Sequence, residues 1–144
     1  MQSFTDAEGR EWFLDFNIAT VRRYRVEMAK DVKLKEFDFL DYAGILAAIN
    51  DVFFAADLLY LVCREQTDER KLTAWDFGRA LKGKILFDAI AAFVESVSPE
   101  IPLHVTRFFP RFRMMDSPPT PVVTIRRLAA IAGRRLRHVL AGNV

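Results

Sequence analysis

Hydrophobic residues along this chain follow two periods, and the switch between them comes early. Between residues 10 and 16 they alternate: Trp12, Leu14 and Phe16 share one side of an extended chain, Glu11, Phe13 and Asp15 the other, with Phe4 across from the first set. Asp6 and Gly9 bracket a four-residue turn in "TDAEGR". Asp can bond its own backbone there, and Gly takes positive φ without a Cβ clash. The pattern predicts a β-hairpin over residues 3 to 16. A lone two-stranded hairpin is marginal in water, so it must lie on helices, gain a third strand or pair with another chain. Its edges are therefore the first candidate contact surface.

Helical spacing then takes over. Asn17 is placed to cap a helix reaching about Lys30, with Ile18, Val21 and either Tyr24 or Met28 inward and Arg22, Arg23 and Arg25 outward. "DVKLKEFDFLD" is a charged connector, and a helix starting near Asp38 or Phe39 runs to Ile49. Asp51 caps an apolar helix to about Glu65, which is expected at the centre of the fold. "EQTDER", residues 65 to 70, reads as a polar loop. Thr73 with Asp76 forms a variant capping box, Leu72 and Phe77 have hydrophobic-staple spacing, and Gly83 is placed to close that short helix. "KILFDAIAAFVESV" predicts a further helix, ended by Ser98-Pro99.

The last third is less regular. In residues 101 to 115, Leu103, Val105 and Arg107 alternate as in a strand while Pro102 and Pro110 limit both strand and helix, so a short helix or an extended segment is expected. "DSPPTP" reads as a stiff linker. Beyond it Ile125, Leu128, Ala132, Leu136 and Val139 fall near one stripe of a basic amphipathic helix. The predicted fold class is mainly α: a helical bundle of five or six helices with a short N-terminal β-hairpin and a C-terminal basic helix. Its expected organisation is a helical domain over 1–115, a Pro-rich linker over 116–121 and a basic helical tail over 122–144. On that reading, deleting everything after Asp116 leaves a folded body.

Composition narrows the class. With 51% hydrophobic and 28% charged residues, disorder throughout the chain is excluded. The apolar run from Ala43 to Cys63 has bilayer-spanning length, but Asn50, Asp51 and Asp57 interrupt it. Each Asp near a bilayer centre costs about 2.5–3.5 kcal/mol, so no transmembrane segment is expected. The start of the chain lacks a basic stretch followed by an apolar run, so no secretory signal is expected either. A single cysteine, Cys63, precludes an internal disulfide, and its apolar neighbours predict a buried, inert thiol. Charge is unevenly spread. Residues 1–100 carry 13 Lys or Arg against 18 Asp or Glu, a balance of −5, and residues 101–144 carry 8 Arg against one Asp, a balance of +7.

No convergent catalytic set is visible. There is no glycine-rich phosphate loop, no His-Glu zinc motif, no cysteine pair and no calcium-loop spacing. His104 and His138 read as surface or packing residues, and Asp38 and Asp41 as charge compensation at a helix start. Catalytic, cofactor and metal residues are therefore predicted to be none. Trp12 and Trp75 are either core residues or exposed partner anchors. The arginine-rich tail permits three readings: a solvated or self-docked helix, a helix for a protein partner, or a contact with nucleic acid or anionic lipid. Nucleic acid is disfavoured, because the arginines are not interleaved with aromatics. The candidate partner-binding residues are Trp12, Arg126, Arg127, Leu128, Arg134, Arg135, Leu136 and Arg137.

Two stretches carry a family resemblance: "FTDAEGREW" and "LLYLVCREQTDERKLTAWDFGRALKGKILFDAIAAFVES". Over residues 3 to 97 the chain resembles small tail-assembly proteins of tailed bacteriophages and prophages, in which a hairpin around a Gly-Arg-Glu-Trp turn precedes helices. Asp76-Phe77-Gly78 is not a kinase element, because the surrounding kinase loops are missing. The resemblance implies a tail assembly chaperone in the host cytoplasm. Such a protein keeps a long tape-measure protein soluble until tail-tube subunits replace it and needs no cofactor; the lack of a convergent nucleophile, base or metal set separately predicts that the chain is not an enzyme. Self-association through the hairpin edge is a further expectation. The rival class is a structural tail or head-tail connector subunit retained in the virion.

Overall fold

A hairpin wound around a buried carboxylate opens the chain. The computed structural model describes residues 1–31, 37–38, 41, 43–45, 51–108, 110 and 116–144. In it β1 (Gln2–Thr5) and β2 (Glu11–Leu14) pair antiparallel with Phe4 opposite Trp12, and Phe4, Trp12 and Leu14 are buried on one face as their alternation predicts. Gly9 takes φ +78°, the left-handed region that suits glycine. Asp6, only 4% exposed, accepts hydrogen bonds from the backbone N–H of Glu8 (2.9 Å) and Arg10 (3.0 Å), from Arg10 Nε (2.7 Å) and from Trp12 Nε1 (2.8 Å). Burial pushes the Asp6 carboxyl up, but these donors outweigh it and hold the carboxyl below its ordinary range.

The helices follow their caps. α1 (Ile18–Met28) starts at Asn17, whose side chain accepts from Ala19 and Thr20 N–H while Thr20 Oγ1 accepts from Asn17 N–H. Val21, Tyr24 and Met28 are all buried, whereas Ile18, expected inward, is 66% exposed because it lies on the same side of the helix as Arg22 and Val26. α2 (Val52–Val62) begins at Asp51, which accepts from Phe53 and Phe54 N–H. The helix expected from Asp38 or Phe39 to Ile49 lies largely outside the described residues, as do residues 111–115.

"EQTDER" is not a loop. It falls mostly within α3 (Arg64–Glu69), anchored by fully buried Thr67, whose hydroxyl donates to the Arg64 carbonyl at 2.7 Å. α4 (Ala74–Arg79) has the expected reciprocal box between Thr73 and Asp76. Gly83 does not close α4, which ends at Arg79; with φ +57° it leads into α5 (Lys84–Val97). α5, rather than α2, is the central element. Ala89 to Val94 are six consecutive buried residues, so this helix is covered on nearly all sides, and it packs on both hairpin strands and on α2.

The C-terminal third departs most from expectation. β3 (Leu103–Thr106) is a strand with Leu103 and Val105 inward. α6 (Val122–Ala132) is shorter than the stripe suggested, because the chain turns at Gly133 and extends into β4 (Val139–Gly142). β4 pairs parallel with β3, Leu103 opposite Val139, and Leu103 N–H donates to the His138 carbonyl at 2.8 Å. The tail is thus no detached helix: Ile125, Ala132 and Leu136 are buried, and α6 packs on α5. The Pro-rich segment is tied back as well, with Arg107 Nε donating to Thr120 O at 2.6 Å and Thr120 N–H to Phe108 O at 3.1 Å. The fold is mainly α with an N-terminal hairpin, plus a second, parallel strand pair that the residue pattern did not foretell.

Two outcomes follow. Truncation after Asp116 removes three buried aliphatic side chains and the partner of β3, so the shortened chain loses its cooperative thermal transition by circular dichroism; Leu136→Ala alone costs about 2–4 kcal/mol in urea unfolding. An unchanged melting temperature for the truncated chain refutes the docked tail. For Asp6 the folded pKa is depressed, so its contribution to stability is present above the unfolded carboxylate pKa of about 3.9 and disappears as pH falls through the folded value. Asp6→Asn destabilises near neutral pH by about 2–4 kcal/mol, and urea midpoints of the two proteins converge toward strongly acidic pH.

Candidate functional site

A seven-residue spacing on α5 meets one arginine where the C-terminal segment crosses the body. Asp88 and Glu95 lie two turns apart on α5, and both reach one guanidinium, that of Arg135. Arg135 Nε and Nη2 donate to the two Asp88 oxygens at 2.8 and 3.1 Å, Nη1 to Glu95 Oε2 at 3.2 Å, and Nη2 also to the Ser3 carbonyl at 2.8 Å. The fork geometry of arginine suits the bidentate contact with Asp88. Those hydrogen bonds raise the Arg135 pKa further above its ordinary value, so the group is charged at every relevant pH.

Side chains reach backbone groups on both edges of the hairpin. On β1 the Ser3 carbonyl is taken by Arg135. On β2 the Gln66 amide imitates a neighbouring strand, donating to Phe13 O at 2.8 Å and accepting from Phe13 N–H at 3.0 Å. Arg70 donates to Glu11 O at 2.8 Å and lays its guanidinium 4.3 Å from the Trp12 ring centre. A second chain pairing with the hairpin, as expected, would compete with these side chains for the Ser3, Glu11 and Phe13 backbone groups.

Beside Arg135 lies an open cleft of about 690 Å³, walled by β1, the start of α5 and the end of α6. Lys84, Arg127, Arg134 and Arg135 face it against two carboxylates, Asp88 and Glu95, both used by Arg135. Lys84, Arg127 and Arg134 have no ion-pair partner among the described residues. Ile85 and Ile131 supply apolar wall between them.

The candidate residues thus divide. Trp12 is 0% exposed, edge-on to Phe77 with ring centres 4.9 Å apart, so it is core and no anchor; Trp75, by contrast, is 76% exposed on α4. Leu136 is buried, which corrects its reading as a partner-binding residue, and Leu128 is half-buried. Arg135 is an internal tie, and Arg137 pairs with Glu100. Arg126, Arg127 and Arg134 remain exposed, and the last two share the cleft. Sequence reasoning missed Lys84, Asp88, Glu95, Gln66 and Arg70. The spacing of Asp88 and Glu95 within an otherwise apolar helix was the available signal; Gln66 and Arg70 had none.

Burial pushes the Cys63 thiol up to about 12, leaving almost no thiolate at neutral pH. His138 Nε2 lies 3.3 Å from Glu100, and His104 is exposed on β3. Among the described residues no cluster of His, Cys, Asp and Glu could hold a metal ion, and no helix is long and apolar enough to cross a membrane.

Arg135→Ala leaves Asp88 and Glu95 without their cation and uncovers the Ser3 carbonyl, so it lowers unfolding free energy by about 2–3 kcal/mol in urea titration. Arg126→Ala, on the solvent side of the same segment, stays within about 0.5 kcal/mol. Equal effects of the two substitutions overturn the assignment of Arg135 as the tie. No family model matches this chain, nor does any curated protein or solved structure.

Proposed function

We propose that this protein is a tail assembly chaperone of a tailed bacteriophage or prophage, binding the tape-measure protein and tail-tube subunits during tail morphogenesis. The observation that carries the reading is that the two stretches bearing the resemblance pack into one unit. Trp12 of the first meets Phe77 of the second, Ala7 N–H donates to the Ala80 carbonyl at 3.0 Å, and Arg70 covers the Trp12 ring. That packing supports reading the motif residues as a scaffold in which α3, α4 and the residues just after them brace the hairpin.

Surface features support a binding role. Trp75 and Phe53, at 76% and 83% exposure, are large apolar side chains presented to solvent, and the cationic cleft is separate chemistry for a polar partner. In this reading the helical body acts as a bundle that shields apolar stripes of a long helical client. It works in the host cytoplasm without a cofactor and performs no catalysis. The second reading, a tail or head-tail connector subunit retained in the virion, draws on the docked C-terminal segment, which gives the chain the closed build of a structural subunit.

Mass spectrometry of purified particles separates the two. A chaperone is absent from mature particles yet co-purifies with tape-measure protein from an induced host, whereas a connector is present at stoichiometric level. Presence in the particle, or failure to capture either tail protein from the host, refutes the chaperone assignment.

A further inference from the structure

We infer that the cleft between β1, α5 and α6 is a docking site for an acidic amphipathic segment of a partner protein. The inference rests on the reading of this chain as a protein-binding protein and names where one class of partner sits. The charge argument comes first. Arg135 is held by Asp88 and Glu95 in a group of net charge −1, while Lys84, Arg127 and Arg134 have no ion-pair partner among the described residues, so four cations against two carboxylates leave the cleft at +2. These three lie on a chain whose first 100 residues balance to −5, so an acidic segment is repelled over much of the surface and attracted here.

Arrangement decides the class of ligand. Arg127, Ile131 and Arg134 follow one another at intervals of four and three along α6 and its exit, forming one wall; Lys84 and Ile85 at the start of α5 form the other. Each wall therefore offers a cation beside an isoleucine. A helix with carboxylates flanking an apolar stripe satisfies both groups at once, whereas a small polyanion has no use for the isoleucines. Nucleic acid is also a poor fit, since among the described residues no aromatic side chain lines the cleft for base stacking. A volume of about 690 Å³, open to solvent, admits the side chains along one face of a short helix.

The test is fluorescence anisotropy on the full chain. The probe is a labelled amphipathic peptide of about five helical turns, roughly 18 residues, with Leu on one stripe and Glu beside it. Its Glu-to-Gln counterpart, inorganic tripolyphosphate and single-stranded DNA serve as competitors. The Glu peptide binds, its affinity falls as salt rises, and the triple variant Lys84→Glu, Arg127→Glu, Arg134→Glu weakens it at least about tenfold. Arg126→Glu, on the same helix but outside the cleft, leaves the affinity within about twofold. Circular dichroism confirms that each variant is folded, and Lys84→Gln with Arg134→Gln provides a milder pair.

No binding of the Glu peptide, equal binding of the Gln peptide, equal loss with Arg126→Glu, or displacement by tripolyphosphate or DNA at lower concentration than by unlabelled Glu peptide each overturns the inference. Failure here leaves the chaperone assignment standing, because that is read from particle composition. Loss of the chaperone assignment in turn leaves a measured peptide site intact.

Discussion

Arg135 is the interaction on which the arrangement of this chain depends. One guanidinium binds the central helix at Asp88 and Glu95 and the first strand at Ser3, joining segments 132 residues apart in sequence. With the Arg135 side chain 20% exposed, its ion pairs operate in a partly desolvated setting, where removing one partner costs more than the pair gains on forming. The neighbouring apolar contacts make the tie meaningful. Leu136 is buried next to it in sequence and Ala132 one turn before, so the same few residues supply both the charge and the burial that hold the C-terminal segment on the body.

A hairpin of two four-residue strands has too little ladder to persist alone, and three reinforcements compensate. Asp6 gathers four donors at the turn, the buried face packs on the core, and side chains satisfy backbone groups at both edges. The last of these also removes a route to aggregation. A strand edge answered by Gln66, Arg70 and Arg135 presents few free N–H and C=O groups to a second chain. The exposed side-chain features that remain are the cations of the cleft and large apolar groups such as Trp75.

Local chemistry was legible wherever a residue acts on its near neighbours. The turn at Asp6 and Gly9, the caps at Asn17, Asp51 and Thr73, the alternation that buries Phe4, Trp12 and Leu14, and the burial of Cys63 all depend on groups within a few positions or on local apolar density. Polar residues were misread where a long-range contact decides their state. "EQTDER" looks like a loop because it is hydrophilic, yet Thr67 is buried, and Gln66 and Arg70 bond to strand β2 more than 50 residues away.

The amino-acid sequence by itself determined a mainly helical chain with an N-terminal hairpin, the caps that start its helices and the separation of charge between its body and its last third. Only the tertiary structure decided what that charge does. A helical stripe of Ile125, Leu128, Ala132 and Leu136 is compatible with a continuous free helix, and nothing local forbids one. The helix stops at Ala132 because residues 139–142 gain backbone hydrogen bonds with β3 and Arg135 gains two carboxylates on α5. These are contacts between distant segments, and no spacing within the tail encodes them.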